Sequence, residues 1–343
     1  MTKIILLGIT FLSSLTWGAE SPQVSPCNGQ VHLCGMPYDQ VTFPMSHNGQ
    51  SHIGNLLFDL ATTTDSNIND QDRRFGLQLR DGIRATKAPV YFDEGMAMAC
   101  HGISNGTKVE VKAKFCAKWG VIHGLCDKIV DSLGACSIDP AGRSYVKYLS
   151  TLKRFLVKHP NEVFTLFIED YTNDLKLLAD GVTESGLSTY IYPAPQSGPW
   201  PTLGEMIRDQ KRVVIFLDRD FDSKNRRIEE FPFFHSRAQW VWSSRYHFEK
   251  LDDLRKDQYD SSRSDRTHLY GGQHFVLMEH FITPWIGGSR RMAKKANQLE
   301  FLRDRVDQYR RDLSKKPNFI SVDFYEYPKR KPGLFQLVEE LNQ

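Results

Sequence analysis

No segment beyond the first twenty residues is long and apolar enough to span a bilayer, which takes about 20 such residues, so a multi-span membrane protein is excluded. Like charges are not gathered into blocks. The 44 basic and 41 acidic side chains leave a formal +3, dispersed along the chain, which excludes the electrostatic footprint of a nucleic-acid binder. The cysteine spacings include no CxxC pair, which argues against a cysteine-based zinc site. No GxGxxG follows an early strand, so the usual dinucleotide fingerprint is missing. There is also no internal repeat and no linker long enough to divide the chain. What remains is ordinary globular composition, 40% hydrophobic and 25% charged, read as a single domain over residues 20–343 with no obligate protein partner.

The N-terminal stretch "MTKIILLGITFLSSLTWGAE" has Lys3, an apolar run from Ile4 to about Leu15, and then small residues. This is the pattern of a secretory signal peptide over residues 1–19, cleaved after Gly18 or Ala19, and it predicts a secreted or periplasmic protein. Six cysteines follow: Cys27, Cys34, Cys100, Cys116, Cys126 and Cys136. An even number in an exported chain points to disulfides. Cys27 with Cys34 is the preferred local bridge, and the other four would staple one irregular insertion.

Apolar runs of strand length recur: "VTF" before His47, "GIRATKAPVY" (82–91), "EVFTLFIED" (162–170), "RVVIFLD" (212–218), "QWVWSS" (239–244), "HFVLMEHF" (274–281) and "NFISVDFYE" (318–326). Near-continuous apolar strands are those of a parallel sheet covered on both faces. Between two of them, "GRSYVKYLSTLKRFLVKHP" places Tyr145, Leu149, Leu152 and Leu156 at helical spacing before Pro160. Strand and helix alternating over this length predict a TIM-like (β/α) barrel, irregular or incompletely closed, with the doubly wound open sheet as the rival. Residues 59–74 are polar and read as a surface loop leading into a helix. Residues 249–270 read as a solvated helix and a long loop.

A parallel barrel gathers its chemistry at the carboxyl ends of its strands. There the sequence puts His47 and Asn48 after the first strand, Glu169 and Asp170 after the third and Asp218 after the fourth, with Asp323 and Glu326 in the last. For Asp170 and Asp218, capping and loop hydrogen bonds compete with a functional role. His101, in "CHG", supplies a second histidine. Two histidines suit phosphodiester transfer, one accepting the proton of an attacking hydroxyl and the other protonating the leaving oxygen.

The ordered set "PYDQVTFPMSHNGQS", "LRDGIRATKAPVY", "ACHG", "HPNEVFTLFIEDY", "HFVLMEHFIT" and "PNFISVDFY", spanning about Cys27 to Tyr325, resembles phosphatidylinositol-specific phospholipase C X-domain-like phosphodiesterases of the secreted bacterial and fungal type. The resemblance implies a barrel in which the inositol 2-hydroxyl attacks phosphorus. It also implies His47 as general base, His101 as general acid, Asn48 at the phosphate or metal, and Glu169 at the metal position of a calcium-dependent branch. Arg84 matches a G-x-R position, either structural or substrate-binding, and Asp218 is kept as a substrate contact. Asp323 either orients a catalytic histidine or caps the last strand.

Two departures bear on the metal. Where the calcium-dependent branch carries two acids, this chain has Lys87 and Pro89, which disfavours calcium because that ion wants several oxygen ligands. No metal ligand and no cofactor are therefore expected, and the Lys87 ammonium is the candidate to neutralise phosphate charge. The alternative is that Lys87 pairs with Glu169 and the module binds an anionic headgroup or phosphorylated sugar without cleaving it. "QWVWSSRYHF" also departs from the family pattern in the region expected to line the inositol pocket. Trp119, Trp200 and Trp285 are either rim aromatics for transient contact with a membrane surface or ordinary half-buried tryptophans, and "NGT" at Asn105 is a glycosylation acceptor pattern.

Overall fold

The computed structural model describes residues 25–52, 69–93, 95–102, 128, 136, 143–193, 199–246, 248–256, 275–283 and 288–343. The signal segment, Asn105, Cys116, Trp119, Cys126 and Trp285 lie outside the described residues, as do most of the polar 59–74 stretch and the charged stretch after residue 256.

Ten strands form one sheet: β1 (Phe43–Ser46), β2 (Ala85–Asp93), β3 (Met96–Ala99), β4 (Arg143–Ser144), β5 (Phe164–Tyr171), β6 (Val213–Leu217), β7 (His235–Ser236), β8 (Val241–Ser243), β9 (Phe275–His280) and β10 (Phe319–Val322). The helices are α1 (Phe75–Asp81), α2 (Tyr145–Lys158), α3 (Leu175–Glu184), α4 (Leu203–Arg208), α5 (Arg237–Trp240), α6 (Leu251–Arg255), α7 (Arg290–Ala296), α8 (Leu299–Leu313) and α9 (Gly333–Leu341).

In space the strands run β7-β6-β5-β2-β1-β10-β9-β8, and every neighbour on this path is parallel. That order is cyclic in the chain, as in a barrel, and lacks the reversal of a doubly wound sheet. Among the described residues β7 and β8 do not pair, so the barrel is open on that side. β3 and β4 add an antiparallel flap to the far end of β2.

The helix α2 forms where its periodicity predicts. The Ser144 hydroxyl caps it by accepting the Lys147 N–H, and Tyr145, Leu149, Leu152 and Leu156 are fully buried. With α3 it covers the outward side chains of β2, β5 and β6; α8 and α9 cover those of β9 and β10. Inside, Phe43, Phe167, Phe216, Phe275 and Phe319 fill the barrel, and Tyr38 and Trp200 plug its amino end. The rim reading of Trp200 is therefore corrected. Its ring is 2% exposed, packed 5.2 Å from Tyr38 and 5.0 Å from Phe275, at the end opposite the mouth. Cys27–Cys34 and Cys100–Cys136 are disulfides, the first as expected.

Side chains alternate across each strand. The interior series is Phe43, Met45, His47 on the first strand and its end, then Ala85, Lys87, Pro89; Thr165, Phe167, Glu169; Val214, Phe216, Asp218; Phe275, Leu277, Glu279; and Phe319, Ser321, Asp323. Four of the six climb from apolar at the amino end to an imidazole or carboxylate at the carboxyl end, the β5 series also ends in a carboxylate, and the β2 series carries its charge one step earlier, at Lys87. Six different segments thus deliver their polar groups to one mouth.

Candidate active site

β1 stops because the chain turns at Asn48. Asn48 has φ of 44°, in the left-handed region that asparagine tolerates, and Gly49 follows where any Cβ would lie 2.2 Å from Thr86 Oγ1. The turn is fixed by buried amides: Gln71 Nε2 donates to the carbonyls of His47 and Val322, and Gln78 Nε2 to that of Gly49. His47 N–H donates to the Val322 carbonyl at 2.9 Å, which sets the imidazole beside the end of β10.

β10 itself ends at Val322, so Asp323 and Glu326 lie beyond the last strand instead of within it. Phe324 turns the chain with φ of 46° and ties its N–H to the Asp70 carbonyl at 2.9 Å. Asp323 Oδ1 then lies 2.8 Å from His47 Nδ1. Asp70, 1% exposed, stands between the two histidines, with Oδ2 4.0 Å from His47 Nδ1 and 3.6 Å from His101 Nδ1. Its position is held by Asn48 Nδ2 donating to Oδ2 and by the Gly288 N–H donating to Oδ1, both at 2.8 Å.

Burial, aided by the Lys87 charge and His101, holds His47 well below the ordinary imidazole range. Burial and the neighbouring Asp70 carboxylate push Asp323 well above the ordinary carboxyl range. Both shifts disfavour a fully charged pair across the 2.8 Å contact between Nδ1 and Oδ1. With Nδ1 donating, Nε2 is left as an acceptor for a proton. Phe281 stacks on the imidazole at 3.7 Å between ring centroids, nearly parallel, and restricts its rotation.

A second cluster lies beside the first. Lys87, 1% exposed, has its Nζ 2.6 Å from Glu279 Oε1, 3.6 Å from Glu169 Oε1 and 5.5 Å from the centre of the Phe281 ring. Arg237 Nη2 lies 3.6 Å from the same Glu279 oxygen and donates to Ser243 Oγ at 2.9 Å.

The family model described as PI-PLC X 1 matches residues 127–330. The chain belongs to the PI-PLC X family. The match begins beyond His47 and His101, but similarity extends further in the fungal "PI-PLC X domain-containing protein 1" of Arthroderma benhamiae. That protein is 26% identical over 342 residues, covering 94% of this chain and 93% of its own. A chain of the same fungus named "Uncharacterized secreted protein" is 21% identical over 92% of this chain and 64% of its own. Among solved structures, a pentafluoro-Phe form of phosphatidylinositol-specific phospholipase C from Staphylococcus aureus superposes with a TM-score of 0.57. It is 11% identical, over 90% of this chain and 94% of that one, and shows a shared barrel fold.

Within this PI-PLC X fold, the expected residues divide. His47, Asn48, Lys87, His101, Glu169 and Asp323 come together at the mouth. Asp218 is at the same end but exposed, and its Oδ1 accepts the Asp170 N–H at 2.9 Å, the loop-bracing alternative. Arg84 does not join the site. It precedes β2 at the amino end, pairs with Glu162 at 2.6 Å and donates to the carbonyls of Leu79 and Ile83. The calcium positions do not fit that ion: Asn48 gives its amide donor to Asp70, Pro89 has no ligand, and the ammonium of Lys87 lies beside Glu169.

Three participants escaped the sequence reading: Asp70, Glu279 and Arg237. Glu279 was detectable, since it continues the inward phase of Phe275 and Leu277 by two residues. Asp70 sits in a polar stretch with no periodicity to mark it.

Proposed function

We propose that this PI-PLC X protein is a phosphodiesterase that cleaves phosphatidylinositol or a related inositol phospholipid by internal attack without calcium. The observation that carries this reading is the pair of histidines on either side of Asp70, with His47 Nδ1 2.8 Å from Asp323 Oδ1; with Nδ1 donating to that carboxylate, Nε2 takes the proton. His47 removes the proton of the inositol 2-hydroxyl as its oxygen bonds to phosphorus. His101 gives a proton to the glycerol oxygen as the phosphorus–oxygen bond breaks. The products are a cyclic inositol phosphate and diacylglycerol, and each histidine contributes about 10²–10⁴-fold. Lys87 supplies positive potential beneath the phosphate from a fixed, buried position.

Substrate presentation fits the distribution of exposed apolar groups. Of the seven exposed large apolar residues among those described, Phe92, Tyr171, Phe221 and Tyr246 lie at or past the carboxyl ends of strands and Met96 opens the β3 flap that follows β2, while Val31 and Val157 lie elsewhere. We assign the first five the transient contact with a lipid surface. Export belongs to the same reading: two disulfides are formed, and a fungal relative bears the name of a secreted protein.

A module that binds an anionic headgroup without turnover is the second reading, favoured by the locking of Lys87 between Glu279 and Glu169. Phosphorus NMR of phosphatidylinositol vesicles incubated with the protein, with and without a chelator, separates the two. Cyclic inositol phosphate that survives chelation and is lost in both His47→Ala and His101→Ala supports the enzyme. Saturable inositol phosphate binding with no product supports the module, and product lost on chelation alone would refute the calcium-free reaction.

A further inference from the structure

We propose that the surface formed by α7 and residues 327–332 is a docking face for a bilayer rich in anionic lipid, and that it seats the mouth of the barrel on that bilayer. Neither "SRRMAKKA" nor "YPKRKP" is long enough to read as a basic block, but the fold joins them. Ala293 of α7 packs against Phe324 and Tyr327. The Lys294 ammonium lies 5.2 Å from the centre of the Tyr327 ring, and that of Lys329 lies 5.5 Å from the same ring. Arg291, Lys294 and Lys295 fall at i, i+3 and i+4 on one face of the helix and are exposed, as are Lys329, Arg330 and Lys331. Six exposed cations thus share one surface.

This surface has little of the opposite charge. Residues 288–299 and 327–338 contain no acid. The acids beside them are Asp72 and Glu326. Asp72 is engaged by Arg290 Nε at 2.5 Å and by the Tyr327 hydroxyl at 3.0 Å. Glu326 is half-buried, and burial with the Asp72 charge pushes its pKa up to about 7. Lys294, Lys295, Lys329, Arg330 and Lys331 make no ion pair among the described residues. Arg330 also takes φ of 77°, a conformation that favours glycine, and a cation stands there instead. An anionic leaflet rewards cations of this kind. Each lysine or arginine near it strengthens binding about fivefold, and clusters of about four to eight are recognised.

The position of the face selects the partner. α7 lies between the end of β9 and the start of α8, and residues 327–332 lie between the end of β10 and the start of α9, so both belong to the carboxyl-end layer that carries the site. Gly288, one residue before the Ser289 cap of α7, donates to Asp70 Oδ1 and ties this face to the two histidines. Phe92, Tyr171 and Phe221 lie at or past the ends of β2, β5 and β6, on the other side of β1 in the sheet. The mouth therefore opens between an apolar edge and a basic edge, the combination that holds a protein at a charged bilayer. A nucleic acid would use the basic edge and leave the apolar one in water.

The choice of a membrane rests on the phosphodiesterase reading, but the deciding test reads binding on vesicles without inositol lipid, so a protein that docks without turnover leaves the proposal standing. The exported chain, without its signal segment, is sedimented with phosphatidylcholine vesicles and with equimolar phosphatidylcholine and phosphatidylglycerol vesicles. Binding about a hundredfold tighter to the anionic vesicles is expected. Lys295→Gln/Arg330→Gln/Lys331→Gln should weaken it about a hundredfold, three charges at about fivefold each, and keep the melting temperature. If that variant fails to fold, Lys295→Gln alone decides, with an expected loss of about fivefold. Lys147→Gln/Lys158→Gln/Lys176→Gln removes three exposed lysines of α2 and α3 and should change binding by less than about threefold. Equal affinity for the two vesicles, unchanged affinity in the folded variant, or an equal loss in the α2 and α3 variant would overturn the proposal. Tighter binding to a duplex DNA oligonucleotide than to anionic vesicles at the same salt would overturn it as well.

Discussion

Replacing Lys87 with methionine tests both the stability of the barrel mouth and the role of its cation. Methionine keeps the length of the side chain and its contact with Phe281, and removes the charge. Glu279, fully buried, then keeps only Arg237 at 3.6 Å in place of an ammonium at 2.6 Å. Breaking a buried pair by removing one partner costs about 3–5 kcal/mol, chiefly because the other charge is left uncompensated. The remaining Arg237 contact places the expected loss near the lower end, about 3 kcal/mol. At about 2 °C per kcal/mol for a domain of this size, the melting temperature should fall by about 6 °C. Lys87→Met/Glu279→Gln removes the orphaned charge and should recover most of that loss. A phosphodiesterase role for Lys87 requires the recovered double variant to stay impaired by about 10²-fold or more in turnover. Thermal melts and vesicle assays on the three proteins suffice. A single variant as stable as wild type would refute the buried-pair reasoning, and a fully active double variant would reduce Lys87 to a structural residue.

Other expectations follow from the same structure. His280 donates from Nε2 to the Ala296 carbonyl and accepts at Nδ1 from Arg305, and burial followed by that guanidinium lowers its pKa to about 3. The unfolded chain therefore binds a proton below about pH 6.5 that the folded chain refuses, so this contribution is complete above that pH and shrinks as the pH falls. His280→Gln offers one donor and one acceptor without titrating, and should lose about 2 kcal/mol less than wild type between pH 7 and pH 5; parallel pH–stability curves would count against this. Replacing Cys27 and Cys34 by serine opens a bridge of sequence separation 7 and should cost about 2 kcal/mol in denaturant melts, against about 4 kcal/mol for Cys100 and Cys136 at separation 36. Phe92→Ser and Phe221→Ser should each weaken sedimentation with phosphatidylinositol vesicles about tenfold while leaving the melting temperature unchanged, because both rings are already exposed.

The chain by itself determined the barrel's pieces. Apolar runs of strand length appear at all seven expected places, and α2 follows from four residues at helical spacing, because periodicity is a local property of backbone geometry. His47, His101 and Asp323 were legible from strand-end position and ordered motifs, and the Cys27–Cys34 bridge from its spacing. Trp200 was left between a membrane-facing rim and the interior because a tryptophan's sequence neighbours do not reveal which end of a barrel it plugs. Arg84 likewise needed the sheet's direction to be placed at the amino end, away from the chemistry.

The tertiary structure alone decided the partners. Asp70 meets His47, Asn48 and His101 only because Phe324 and Gly288, distant in sequence, bind its backbone and side chain. Lys87 takes Glu279, not Glu169, as its nearest partner because β9 and β2 bring their inward residues to the same depth across the mouth. A charge in a polar loop carries no signature of its distant neighbours. Its chemistry is set by burial and by which other strands end beside it, and both come into being only when the barrel forms.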